Sequence, residues 1–312
     1  MWGCLVAKVY KFSSTDFDQG LFTGCACAFG VFDGFHIGHQ FLVSSMIERA
    51  RRDDVRSLIL TFDRDPDELF HPESLRKIMT DEERLSILAS SGVDLVVSLP
   101  FDRAFAALSP QEFLSQTFGE CAPSSLHVGC DFRFGVRASG NVETLRDWAR
   151  SSNTDIVPYE LQHRDGAPIS ASRIRALLAD SRIKEANELL GRRYRVSGMI
   201  VSGRRQGRDM GFATANVSIP ALRQTLGEGV YAAYGYLEGE RYKAAVSMGA
   251  SPTFEEAESV CEAHLLDFDR DVYGSELTLE FVEFLRPMKK FDSVEELIKE
   301  VMANIQWCRD NL

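Results

Sequence analysis

Up to about residue 160 the chain alternates apolar runs of strand length with stretches whose apolar residues recur at helical spacing. In order these are CACAFGVF, QFLVSSMIERARR, VRSLILTF, TDEERLSILASSG, VDLVVSLP, SPQEFLSQTFGE, SLHVG, ETLRDWARSS and TDIVPYE. Strands separated by helix-length connections pair in parallel, because the crossover brings the chain back to the same end of the sheet, and the crossover helices cover both faces. From about Tyr194 the texture changes. YRVSGMIVSG, GVYAAYGYLEG, RYKAAVSMG, VCEAHLLDF and ELTLEFVEFLR are strands joined by glycine-bearing turns, which predicts an antiparallel barrel or sandwich. Two short helical segments, SASRIRALLAD and RIKEANELLG, separate the two textures. A last helix, SVEELIKEVMANIQWCRDNL, opens on Ser293 as N-cap, with Glu296 completing a capping box. An α/β domain over residues 1–185 and a β domain with a terminal helix over 186–312 are expected.

The 312 residues suffice for two cores of ordinary size. The N-terminus, MWGCLVAKVYKFSS, lacks the charged and apolar regions of a signal peptide, and no run is long and apolar enough to span a membrane, so a cytoplasmic protein is expected. The seven cysteines are scattered and form no CxxC pair, which signals neither a disulfide framework nor a zinc site. A net charge of −11 argues against a general nucleic-acid binder. Locally the balance reverses: Ser172 to Arg208 carries ten Lys or Arg against Asp180, Glu185 and Glu188. That stretch is either a solvated face around a linker or a supply of cations for anionic ligands.

The segment GVFDGFHIGH, Gly30 to His39, sits where the first strong strand turns into a helix. Glycines there bring backbone N–H groups and the positive end of a helix to the carboxyl edge of a parallel sheet, where phosphates bind. His36 and His39, three apart, are expected on one face of the first turn, able to donate to phosphate oxygens as charge builds up. No Lys follows the glycines, so this is not a Walker A loop.

GVFDGFHIGH resembles the signature of the HIGH-type nucleotidyltransferases, in the form found in the bacterial bifunctional riboflavin kinase/FMN adenylyltransferase (FAD synthetase) family. LTFDRDP, GVDLVVSLPFDRAFAALSPQEF, HVGCDFRFG and ISASRIRALL are similar to further motifs of the adenylyltransferase half. GRRQGRDMGFATANVSIP, SMGASPTF, CEAHLLDFDRDVYG and LRPMKKF continue the likeness into the kinase half. The resemblance implies a Rossmann-like nucleotidyltransferase domain with a parallel sheet, followed by an antiparallel β-barrel kinase domain with a terminal helix. It implies two reactions: riboflavin and ATP give FMN, then FMN and a second ATP give FAD and pyrophosphate.

On that resemblance His36 and His39 stabilise the α-phosphate region, Arg175 holds the leaving pyrophosphate, and Ser170 and Ser172 bond the same phosphates, with Gly30, Phe32 and Gly34 shaping the loop. Glu262 maps to the kinase base; without the resemblance it reads as a solvated strand residue. Thr214 and Asn216 match the residues around Mg²⁺ and the ATP phosphates, and Gly203, Gly207 and Gly211, interleaved with arginines, match a loop over the nucleotide. Riboflavin, FMN, FAD and ATP are the implied ligands; neither a membrane nor nucleic acid is expected as a partner. Departures are Ala213 for the proline of the kinase motif, Met248 for a polar residue, Arg64 and Asp65 for Pro-His, and Ala171 for a hydroxyl residue. Loss of one charge-assisted hydrogen bond, about 1.5–3 kcal/mol, points to slower adenylylation. Alternatives are one working site, the kinase, or a flavin- or nucleotide-binding regulator without turnover.

Overall fold

The structure, a computed structural model, describes residues 6–12, 18–201, 214–249, 260–270 and 272–312. It forms two compact units, residues 1–171 and 172–312.

The first unit is built on strands β1 (Lys8–Lys11), β2 (Ala26–Phe29), β3 (Ser57–Phe62), β4 (Leu95–Leu99), β5 (Ser125–Gly129) and β6 (Asp155–Tyr159). They form one all-parallel sheet in the order β1-β4-β3-β2-β5-β6. Every side chain of β2, β3 and β4 is buried, as a strand covered on both faces requires. The principal helices are α1 (Ile37–Asp53), α2 (Pro66–Phe70), α3 (Asp81–Ala89), α4 (Arg103–Ala106), α5 (Pro110–Phe118) and α6 (Val142–Ser152). After β2 the chain steps outward through β3 and β4, then returns to place β5 on the other side of β2. The crevice at the carboxyl ends of β2 and β5 is therefore a topological switch point, where open α/β sheets bind ligands. The core beneath it is rich in phenylalanine: the Phe29 ring lies 5.5 Å from Phe62, 5.7 Å from Phe113 and 5.0 Å from Phe132.

On β5, His127 is fully buried between the Ser125 hydroxyl (3.1 Å) and the Tyr159 hydroxyl (2.9 Å). Burial, helped by the charge of Arg49, pushes its pKa down to about 4. An unfolded imidazole titrates near 6.5, so between those values the unfolded chain holds the extra proton, and stability present above pH 6.5 is lost as pH falls toward 4. Denaturant unfolding at pH 7.5 and 4.5 should show the wild type losing about 2.5 kcal/mol more than His127→Gln. Equal losses in the two proteins would assign the acid sensitivity to other groups.

A hairpin of β7 (His163–Arg164) and β8 (Ala167–Pro168) ends the first unit. The second begins with α7 (Ala171–Ala179) and α8 (Ile183–Leu190), which pack with the barrel. Asn187 on α8 donates to Phe281 O (3.0 Å) and accepts from Tyr194 N–H (2.7 Å). Gly227 lies against Ala179 O so closely that a Cβ would not fit. The barrel strands are β9 (Arg195–Val201), β10 (Ala215–Ser218), β11 (Gly229–Leu237), β12 (Glu240–Gly249), β13 (Val260–Leu265) and β14 (Glu276–Arg286). They close antiparallel in the order β10-β13-β12-β11-β14-β9, with β9 paired back to β10, so the architecture is a barrel and not a sandwich. Ala244, Val246, Ala263, Leu265, Leu277 and Phe281 alternate with less buried neighbours and point to its core. Outside, α9 (Val294–Asn311) lays Ile305 and Cys308 over Ala232 and Leu266. Ser293 caps it as expected, bonding Glu296 N–H at 3.1 Å, but the Glu296 carboxylate bonds Lys289 (2.7 Å). Among the described residues no helix is long and apolar enough to cross a membrane.

Candidate active sites

Strand β2 stops at Phe29, and the seven residues before α1 fold into a tight turn. Phe32 (φ 60°) and Phe35 (φ 33°) both take left-handed conformations, a strain that needs outside support. Gly34 has φ +74°, and a Cβ on it would lie 2.9 Å from Ile78 Cδ1, so glycine is required twice over. Asp33 supplies part of the support: buried, it accepts the backbone N–H groups of Ile78 (3.1 Å) and Met79 (3.3 Å). Arg84, 2% exposed, supplies more, donating to Val31 O (3.0 Å), Thr61 Oγ1 (2.7 Å) and Phe62 O (2.9 Å) and pairing with Asp81 (2.9 Å).

His36 is the N-cap of α1, with extended ψ of 170°, instead of a residue within its first turn. Its Nδ1 accepts the His39 N–H at 3.3 Å, which leaves Nε2 as the donor. The two rings nevertheless come together: their centroids are 3.6 Å apart and nearly parallel, and Phe32 meets His39 edge-on at 5.3 Å. The arrangement is a helix N-terminus with imidazoles fixed beside it at the sheet's switch point, which suits a phosphate group. Ser170 lies in the first unit, one residue before its end, whereas Ser172 and Arg175 lie on α7 and are described with the barrel.

In the same unit a cleft of about 840 Å³ is lined by Phe62, Phe70, Phe101, Phe105, Phe132 and Phe134, with Arg103, Arg133 and Arg137. Its lining suits a ligand with an aromatic part and polar or anionic groups. Arg137 and Ala138 on its wall both have positive φ, a second strained turn. Of the two departures in LTFDRDP, Asp65 caps α2 by accepting Asp67 N–H (2.9 Å), and Arg64 lies 3.7 Å from Asp63. Neither Asp33 nor Arg84 nor this cleft was assigned from sequence. Arg84 did leave a signal: a charge on the stripe that also carries Leu85, Leu88 and Ala89.

In the barrel, register does the assembling. Glu262 on β13 stands opposite Asn216 on β10 and opposite Ser247 on β12, so the three form one row across three strands. Cys261 and Ala263, its neighbours in sequence, point to the core, which puts the row on the outer face. Ser247, unassigned from sequence, also lies 3.6 Å from Met288 Sδ, bringing LRPMKKF to the row. Thr214 precedes β10 by one residue, on the same alternation as Asn216. Gly203, Gly207, Gly211 and Ala213 lie outside the described residues. Among those described, no three His, Cys, Asp or Glu form a group that could hold a metal. Thr214 and Asn216 offer hard oxygens, which suit Mg²⁺ when nucleotide oxygens complete its shell.

Comparison with known proteins matches residues 19–173 to the FAD synthetase family and residues 190–312 to the riboflavin kinase family. The chain is 34% identical over 282 residues to a bifunctional riboflavin kinase/FMN adenylyltransferase of Escherichia coli, covering 89% of this chain and 90% of that one. The enzyme of the same name from Listeria monocytogenes is 29% identical over the same shares. A crystal structure from Streptococcus pneumoniae, described as a macrolide-efflux protein, superposes with a TM-score of 0.84 at 28% identity, covering 97% of this chain and 99% of that one.

Proposed function

Since the chain belongs to the family of bifunctional riboflavin kinases/FMN adenylyltransferases, we propose that its two reactions run at the two constellations above. It is a transferase that phosphorylates riboflavin to FMN and then adenylylates FMN to FAD, with ATP as donor in both steps. The division that fits the motifs is 1–185 for adenylylation and 186–312 for the kinase, although α7 and α8 pack with the barrel.

What carries the reading is the contrast between the sites. In adenylylation the nucleophile is the FMN phosphate, already anionic at neutral pH, so it needs no base. The loop accordingly offers donors: backbone N–H groups and the paired imidazoles of His36 and His39, while the Asp33 carboxylate is turned to Ile78 and Met79. Gly30, Phe32 and Gly34 shape that loop, and Ser170, Ser172 and Arg175 would receive the pyrophosphate. The aromatic cleft would take the flavin ring. In phosphorylation the nucleophile is a neutral hydroxyl, and there a carboxylate, Glu262, stands beside an amide and a hydroxyl that can bind nucleotide. Thr214 and Asn216 would hold Mg²⁺, which neutralises phosphate charge when bound. Gly203, Gly207 and Gly211 would cover the nucleotide.

Pure protein given riboflavin, ATP and Mg²⁺ should accumulate FMN and then FAD, separated by chromatography. FMN alone as product would leave one working site, the kinase; neither product would leave a binding protein.

A further inference from the structure

Lys77 is a buried lysine, 7% exposed. A buried ammonium is costly unless it is paired, and this one touches Glu68 and lies 2.6 Å from Asp81. Burial pulls its pKa down, but the hydrogen bonds to the two carboxylates outweigh that and raise it, so it stays charged at neutral pH.

Its two partners belong to different parts of the site. Glu68 sits on α2, whose residues Pro66, Asp67, Leu69 and Phe70 wall the aromatic cleft. Asp81 also binds Arg84 (2.9 Å), and Arg84 reaches Val31 O in the glycine loop (3.0 Å). A continuous run of charged contacts thus leads from the cleft wall to the phosphate loop through Glu68, Lys77, Asp81 and Arg84. Between Lys77 and Arg84 the chain touches the loop twice more, through the amides that bind Asp33 and through Ile78 beneath Gly34. Helix α2 has five residues and buries none of them, so apolar packing does little to hold it. Its ionic tie to Lys77 is correspondingly important.

We propose that Lys77 and Glu68 are positioning residues that make flavin binding in the aromatic cleft and nucleotide binding on the glycine loop depend on each other. This rests on the assignment of the cleft to the flavin of FMN. An α2 that settles on the flavin without Lys77 takes away one of the two carboxylates that pair the buried ammonium and leaves only Asp81, a loss that ties α2 and the segment 77–84 into one body. A loop held by nucleotide restrains that body in turn, and the effect is reciprocal.

The test is the initial rate of FAD formation on the full chain over a grid of FMN and ATP concentrations, which reads the adenylyl site alone. In the wild type the KM for FMN should fall as ATP rises, by a factor within the roughly 5- to 150-fold range of such couplings. In Glu68→Gln and Lys77→Met it should become nearly independent of ATP, with kcat changed less. Glu68→Gln keeps shape and volume and guards against misfolding of Lys77→Met, which thermal unfolding checks. Phe70→Ala, at an exposed position on the cleft rim, should raise the KM for FMN at every ATP concentration. A wild-type KM indifferent to ATP, or a dependence that survives in Glu68→Gln, overturns the proposal. An unchanged KM for FMN in Phe70→Ala overturns the cleft assignment and the inference with it.

Discussion

Glu262→Gln is expected to lower kcat for riboflavin phosphorylation by about 10²- to 10⁴-fold, the usual contribution of a general base. The ribityl hydroxyl is neutral and must lose its proton as the phosphoryl group arrives. Glutamine keeps the shape of the side chain and its place in the row with Asn216 and Ser247, but its amide cannot take that proton. The ATP-binding groups proposed here are Thr214 and Asn216, not the carboxylate, so the KM for ATP should change less than kcat. FMN supplied directly should still become FAD, because its phosphate is already ionised. Both half-reactions on one preparation make the control internal: a general folding defect would depress both. A variant that keeps more than about a tenth of the kinase rate lies outside the range for a general base and would return Glu262 to an ordinary outward-facing strand residue.

The order of elements was legible because each core strand carries its own apolar run. SLHVG reads directly as the strand Ser125–Gly129, and the shift to glycine-separated strands after Tyr194 announces an antiparallel barrel or sandwich, which the pairing of β9 with β10 decides as a barrel. Strand β1 was not legible: KVYK has four residues, carries a lysine at each end and lies at the sheet edge beside β4. Strand β10 is equally short and was visible only inside a motif. At the sites, sequence pointed to the groups that can meet phosphate, His36 and His39, but not to those that hold them. Asp33 bonds amides 45 and 46 positions away and Arg84 a carbonyl 53 positions away, partners that no local pattern encodes. Ser247 joins Glu262 through the register of β12 against β13, which appears only once those strands pair. The capping box at the last helix shows the converse. The local rule was right for Ser293, and a tertiary partner, Lys289, competed for the other half.

Replacing His36 and His39 together by Ala is expected to abolish FAD formation from FMN while riboflavin phosphorylation continues at nearly the wild-type rate. A single preorganised donor to developing negative charge is typically worth about 10²- to 10³-fold in rate. The two rings are stacked at 3.6 Å and share one place at the end of α1, so their effects should not simply multiply. His36 has a second duty, since its Nδ1 caps α1 by accepting His39 N–H. Removing a cap costs on the order of 1 kcal/mol and could loosen the loop for reasons unrelated to phosphate. His36→Asn separates the two duties, because asparagine caps helices well but places no imidazole Nε2 toward the nucleotide. If the ring acts on phosphate, His36→Asn should be as stable as the wild type in thermal unfolding and still lose adenylyl transfer by about 10²-fold or more. If the cap alone matters, His36→Asn should recover the activity that His36→Ala loses. FMN turned over at the wild-type rate by the double alanine variant would remove this loop from the reaction altogether.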